Sequence, residues 1–193
     1  MCRPASFVVT KARVFWSRDS DSHEKIIEEH HLHESGIFGP NIVRVELIPP
    51  WEDYTRPIRE WLYYVEQDIR PRWYDFEVVE SRVRAELPEW YSVHVLTSGK
   101  WCIRSACRIA FGNVKIEAQD DSEIYACAGA TVNAYRDSGI RAYRGSEVHV
   151  YSGSAVRAHA GSTVYLHGGL CLASDGAAVF TVLANGKCIE RFV

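Results

Sequence analysis

Gly145-Ser146-Glu147-Val148-His149-Val150-Tyr151-Ser152-Gly153-Ser154-Ala155-Val156-Arg157-Ala158-His159-Ala160-Gly161-Ser162-Thr163-Val164-Tyr165 carries the pattern that decides the fold of the C-terminal half. A β-branched residue returns at every eighth position, at Ile124, Val132, Ile140, Val148, Val156 and Val164. Ser or Ala stands two places before it, and a small or aliphatic residue two places after it, from Ala126 to Leu166. Gly or Asp closes each unit, at Asp121, Gly129, Asp137, Gly145, Gly153, Gly161 and Gly169. Alternation over three odd places is the signature of a short strand with one buried face. Ser, Val and Ala form the inward set; Glu123, Tyr125, Thr131, Asn133, Glu147 and His149 form the outward one. Gly and Asp supply the backbone angles of a tight turn. One such unit cannot bury its face alone, whereas stacked units can, and a fixed short period signals that arrangement.

The expectation is therefore a β-solenoid. Its small inward side chains imply a thin core, which favours two octads per coil over a triangular coil of three. With rungs about 4.8 Å apart the stack is roughly 17 Å tall. On the two-octad reading, Cys127, Tyr143 and His159 line one edge and Tyr135, Tyr151 and His167 the other. Val179 to Ala184 and Lys187 to Val193, separated by Asn185-Gly186, read as a hairpin capping one end.

Composition changes near Leu96: all seven prolines and every tryptophan except Trp101 lie upstream. Residues 1–95 read as a small α+β domain, and residues 96–193 as the solenoid with its cap. In the first domain, Ser6 to Thr10, Arg13 to Trp16, Asn41 to Ile48 and Trp61 to Glu66 read as strands. Asp21 with Glu24 reads as a capping box opening a helix whose inner face is Ile26, Ile27 and His30. Asp75 to Leu87 reads as a second helix, with Val78, Val79, Val83 and Leu87 inward, ending before Pro88. Tyr91 to Gly112 reads as an irregular first coil.

The 193 residues carry a net charge of −3, which disfavours nucleic-acid binding driven by bulk charge. No apolar run reaches membrane length, and Met1-Cys2-Arg3-Pro4 leads straight into a strand without the look of a signal peptide. The expected setting is cytoplasmic, with Cys2, Cys102, Cys107, Cys127, Cys171 and Cys188 as reduced thiols.

Candidate sites are few. Tyr135, Tyr143, Tyr151, His159, His167, Arg141 and Arg157 are the residues with which a solenoid would bind a protein partner. Cys2, freed by removal of Met1, could act as an N-terminal nucleophile or form a thiazolidine with an aldehyde. In that respect the chain resembles class II glutamine amidotransferases and proteins that crosslink abasic DNA, although those continue with Gly where this chain has Arg3. His23, His30, His31 and His33 lack the spacing of a zinc-protease helix and read as solvated. Cys102 and Cys107 have no second pair at zinc-ribbon spacing. Neither metal nor cofactor is expected.

The octads from Gly145 to Tyr165 resemble tandem G-S-A-T-V-x-A-Y repeats of uncharacterised phage- and prophage-type proteins, and Ser20-Asp21-Ser22-His23-Glu24 resembles a helix start in their upstream domain. The resemblance implies a phage-associated protein acting inside the host. The leading functional expectation is a non-enzymatic interaction protein that engages a host or phage macromolecule, with inhibition of a host enzyme or defence complex as its specific form and homo-oligomerisation open. The alternative is an enzyme built on Cys2, with the solenoid as scaffold.

Overall fold

A computed structural model describes residues 5–36 and 39–191. Packing divides the chain into two units, Met1–His94 and Val95–Val193.

In the first unit, β1 (Ala5–Thr10) is flanked by β2 (Val14–Phe15), and after α1 (His23–Glu29) and the short ribbon β3 (Ser35–Gly36) with β4 (Gly39–Pro40) come β5 (Ile42–Ile48) and β6 (Leu62–Val65). These form an antiparallel sheet in the order β2-β1-β5-β6. A helix covers each face, so β1 is buried on both sides, and Phe7, Val8 and Val9 are apolar in succession. On one face Val8 packs with Ile26 of α1 and with Ile42. On the other, Phe7 meets Trp90 of α2 (Phe76–His94), and Trp90 stacks on His94 at 4.5 Å.

Four expectations are corrected here. The cap of α1 is Ser22, whose hydroxyl accepts from the Lys25 amide and donates to Glu24; Asp21 does not cap. That shift makes His23 the first helical residue and turns it inward, so His23 and Ile26 are buried while His30 is exposed. The second helix does not stop before Pro88. It runs to His94, because Trp90 and His94 extend the buried stripe of Val79, Val83 and Leu87. Burying those two rings offsets the hydrogen bond lost at a helical proline, which costs ~3 kcal/mol. Val78 lies outside the stripe and is exposed.

The second unit is the solenoid. Tyr91 to His94 belong to α2, and β7 (Val95–Arg104) is a regular strand paired parallel to β8 (Cys107–Gln119), with one register shift between Leu96 and Ser98. The octads follow as β9 (Glu123–Ala126), β10 (Thr131–Ala134), β11 (Gly139–Ala142), β12 (Glu147–Val150), β13 (Ala155–Ala158), β14 (Thr163–Leu166), β15 (Leu170–Ala173) and β16 (Ala178–Val182). Each strand pairs in parallel with the next but one: Ile124 with Ile140 and Ile140 with Val156 on one face, Val132 with Val148 and Val148 with Val164 on the other. Two octads thus make one coil, and Val132, Val148 and Val164 are fully buried in one spine.

The inward serines are buried, and several of their hydroxyls reach turn carbonyls: Ser146 to Tyr143 at 2.7 Å, Ser162 to His159 at 2.6 Å. Asp121, Asp137 and most of the closing glycines take left-handed angles, as the turn requires. The register shortens by one residue at the Gly168-Gly169 turn, so that Ala155 pairs with Leu170 and Thr163 with Ala178. At Gly169 a Cβ would lie 2.7 Å from the Tyr151 carbonyl oxygen and 2.8 Å from that of Ser154, so glycine is the residue that permits the shortened turn.

The expected hairpin is present, β16 turning through Asn185-Gly186 into β17 (Cys188–Arg191). It extends the β10–β16 face alone. Among the described residues β15 pairs only with β13, and Leu170 and Leu172 are exposed.

Candidate interaction face of the solenoid

Parallel in-register coils place equivalent side chains about 4.8 Å apart, close to the stacking distance of aromatic rings. At the turn after the β10, β12 and β14 strands, Tyr135 stacks on Tyr151 at 4.6 Å and Tyr151 on His167 at 4.5 Å. The adjacent outward column carries a second stack, His149 on Tyr165 at 4.8 Å and Tyr165 on Phe180 at 5.3 Å. The two columns join through His149 and His167, whose Nδ1 and Nε2 lie 3.1 Å apart. Six rings therefore form one continuous strip. His149 Nε2 also lies 3.1 Å from the Glu147 carboxylate, giving a chain from Glu147 through His149 to His167. Burial and the neighbouring His149 both push the His167 imidazole below its ordinary value. Burial, then the close Tyr151 hydroxyl, raises Tyr135 above the usual phenol range.

The opposite turn holds Tyr143 stacked on His159 at 4.6 Å, with the ring planes nearly parallel. Cys127 occupies the same turn position one coil earlier, but it is buried, with Sγ 3.8 Å from the Tyr125 carbonyl oxygen. Tyr125 supplies the ring beside Tyr143, at 6.5 Å. Its place in the outward polar set needs correction: Arg141 lies over the ring at 4.9 Å and Tyr125 is 1% exposed. Arg141 also bonds Glu123 through Nε and Nη2, at 3.1 and 2.9 Å. It is a staple between coils, not a free cation. Arg157, in the next coil, is exposed and pairs with no acid among the described residues.

Of the residues expected to bind, Tyr135, Tyr151 and His167 come together; Tyr143 and His159 form a separate pair, and Arg157 stands apart. Sequence reasoning missed His149, Tyr165 and Phe180 as members of the strip. The signal was the sixteen-residue return from His149 to Tyr165, while Phe180 arrives one place early through the shortened turn. Cys2 lies outside the described residues. Cys102, Cys107, Cys127, Cys171 and Cys188 form no disulfide among the described residues.

The first unit divides its aromatics between core and surface, with Trp51, Tyr64 and Phe76 exposed. Phe7, Tyr54, Trp61 and Trp90 are core residues. Trp51 is 85% exposed, beneath Arg56, on a loop where both Trp51 and Glu52 take left-handed angles.

The histidines of the first unit divide sharply. His31 and His33 are exposed, as expected, and so is His30 despite its place in the expected inner stripe, whereas His23 is fully buried. Its Nδ1 lies 2.7 Å from Glu66 Oε2 and its Nε2 3.1 Å from the Val45 carbonyl oxygen. Glu46, 3% exposed, stands beside them.

No described helix is long and apolar enough to cross a membrane. Comparison with family models, curated proteins and solved structures returns no match. The fold and its ring-lined face thus define the class, a β-solenoid behind a small α+β unit, and the functional reading rests on the chain itself.

Proposed function

We propose that the chain is a non-enzymatic interaction protein that grips a protein partner through the strip of Tyr135, Tyr151, His167, His149, Tyr165 and Phe180. The observation that carries this reading is the unbroken contact among the six rings. Each ring is fixed by its neighbours and by the coil beneath, so little rotamer freedom remains to be lost on binding. Stacking uses the ring faces and leaves the outward edges of the rings for a partner. Aromatic residues of this kind dominate protein interfaces energetically. The first unit exposes Trp51, Tyr64 and Phe76, but the continuous run of rings lies on the solenoid, which favours it over the head as the contact surface. The resemblance of the octads supports a host or phage protein as partner, met in the host cytoplasm.

The test is to identify a host protein retained by the full chain, reconstitute the pure complex and measure Kd. His167→Ala and Tyr165→Ala should each weaken it by about tenfold or more with the far-ultraviolet circular dichroism unchanged. Folded variants that bind as tightly as the parent would end the assignment of this face.

A further inference from the structure

We propose that His23, Glu46 and Glu66 form a binding site for a divalent transition-metal cation. One ligand atom from each residue lies within 4.8 Å of the other two. The topology brings them together: Ser6 pairs with Glu46 and Val8 with Arg44, so Glu46 lies on the face of the sheet that carries Val8 and α1. Glu66 follows β6 and donates its amide to the Arg44 carbonyl, which puts it beside the same face. The Ser22 cap then sets His23, at the start of α1, over both carboxylates.

The hydrogen bonding of His23 is the second observation. A backbone carbonyl can only accept, so the contact to Val45 requires a hydrogen on Nε2. In the neutral ring the lone pair then sits on Nδ1, which faces a carboxylate oxygen at 2.7 Å. Two acceptors facing one another need a cation between them, either a proton or a metal. An imidazole that donates its far N–H to a backbone carbonyl while its near nitrogen meets carboxylates has the outer-shell arrangement of a metal-ligating histidine.

The charge of the three ligands suits a dication. With an imidazolium, the triad of one cation and two carboxylates keeps a net negative charge; with a neutral imidazole and a dication it is neutral. One nitrogen and two oxygen donors suit a borderline ion such as Zn2+, and three protein ligands leave a coordination position open. Glu66, whose side chain is 34% exposed, provides the route to solvent.

The full chain, stripped with EDTA, is titrated with Zn2+ by calorimetry and with Co2+ by absorption. One equivalent should bind with Kd of about 10 µM or tighter. His23→Ala and the near-isosteric Glu46→Gln should each weaken binding by at least about tenfold, while His31→Ala/His33→Ala leaves it unchanged. In the parent protein the His23 ring 15N resonances should shift on Zn2+ addition, a readout that survives if a variant misfolds. Absence of binding by the stripped parent, full affinity in folded Glu46→Gln, or resonance shifts confined to His30, His31 and His33 would each overturn the proposal.

Discussion

His149 and His167 meet across adjacent coils with Nδ1 and Nε2 3.1 Å apart, and the contact closes two ring stacks into one strip. One hydrogen bond between two imidazoles is satisfied when a single proton is shared, and a second proton is repelled.

The pH response follows. Burial and His149 hold His167 below the ordinary imidazole value of ~6.5. The folded chain therefore binds fewer protons here than the unfolded chain between that depressed value and ~6.5, so stability falls as pH drops through this window. Thermal melts between pH 7.5 and 5.5 should show the loss, and His167→Gln should reduce the slope. Because the side chain is largely solvated, the effect is small.

The inward serines should not behave alike. Ser154 Oγ lies 2.8 Å from the Ala134 and 2.6 Å from the Tyr151 carbonyl oxygen. Ser138 Oγ is buried without a hydrogen-bond partner among the described residues. Urea denaturation should find Ser154→Ala destabilised by about 1 kcal/mol, and Ser138→Ala neutral or stabilised.

Gly169 should resist even a single methyl group. An added Cβ would press on the Tyr151 and Ser154 carbonyl oxygens, and overpacking of this kind costs about 1–3 kcal/mol. Gly139, whose Cβ would meet nothing within 4 Å, serves as the control; Gly139→Ala should melt close to the parent.

The octads were legible because each residue's role depends on its neighbours within eight positions. The valine spine, the turn glycines and the stacks Tyr135-Tyr151-His167 and Tyr143-His159 all follow from that local rule. Phe180 was hidden because one deleted residue moves it into a column where constant spacing finds Thr181. The first unit was less legible. Its strands showed as apolar runs, but Trp90 and His94 carry the helix past Pro88 through tertiary burial that no local propensity encodes. His23 was hidden more deeply. Glu46 and Glu66 reach it only through strand pairing over long sequence separations, and a cap one residue from the expected place decides which way its ring points.

The central claim is that two octads make one coil, and through-hydrogen-bond NMR couplings measure it most directly. The Tyr151 amide should couple to the Ala134 carbonyl, and the His167 amide to that of Val150, the pairs found at 2.9 and 2.8 Å. Couplings linking residues one further octad apart, or none between these strands, would contradict the coil and the ring strip built on it.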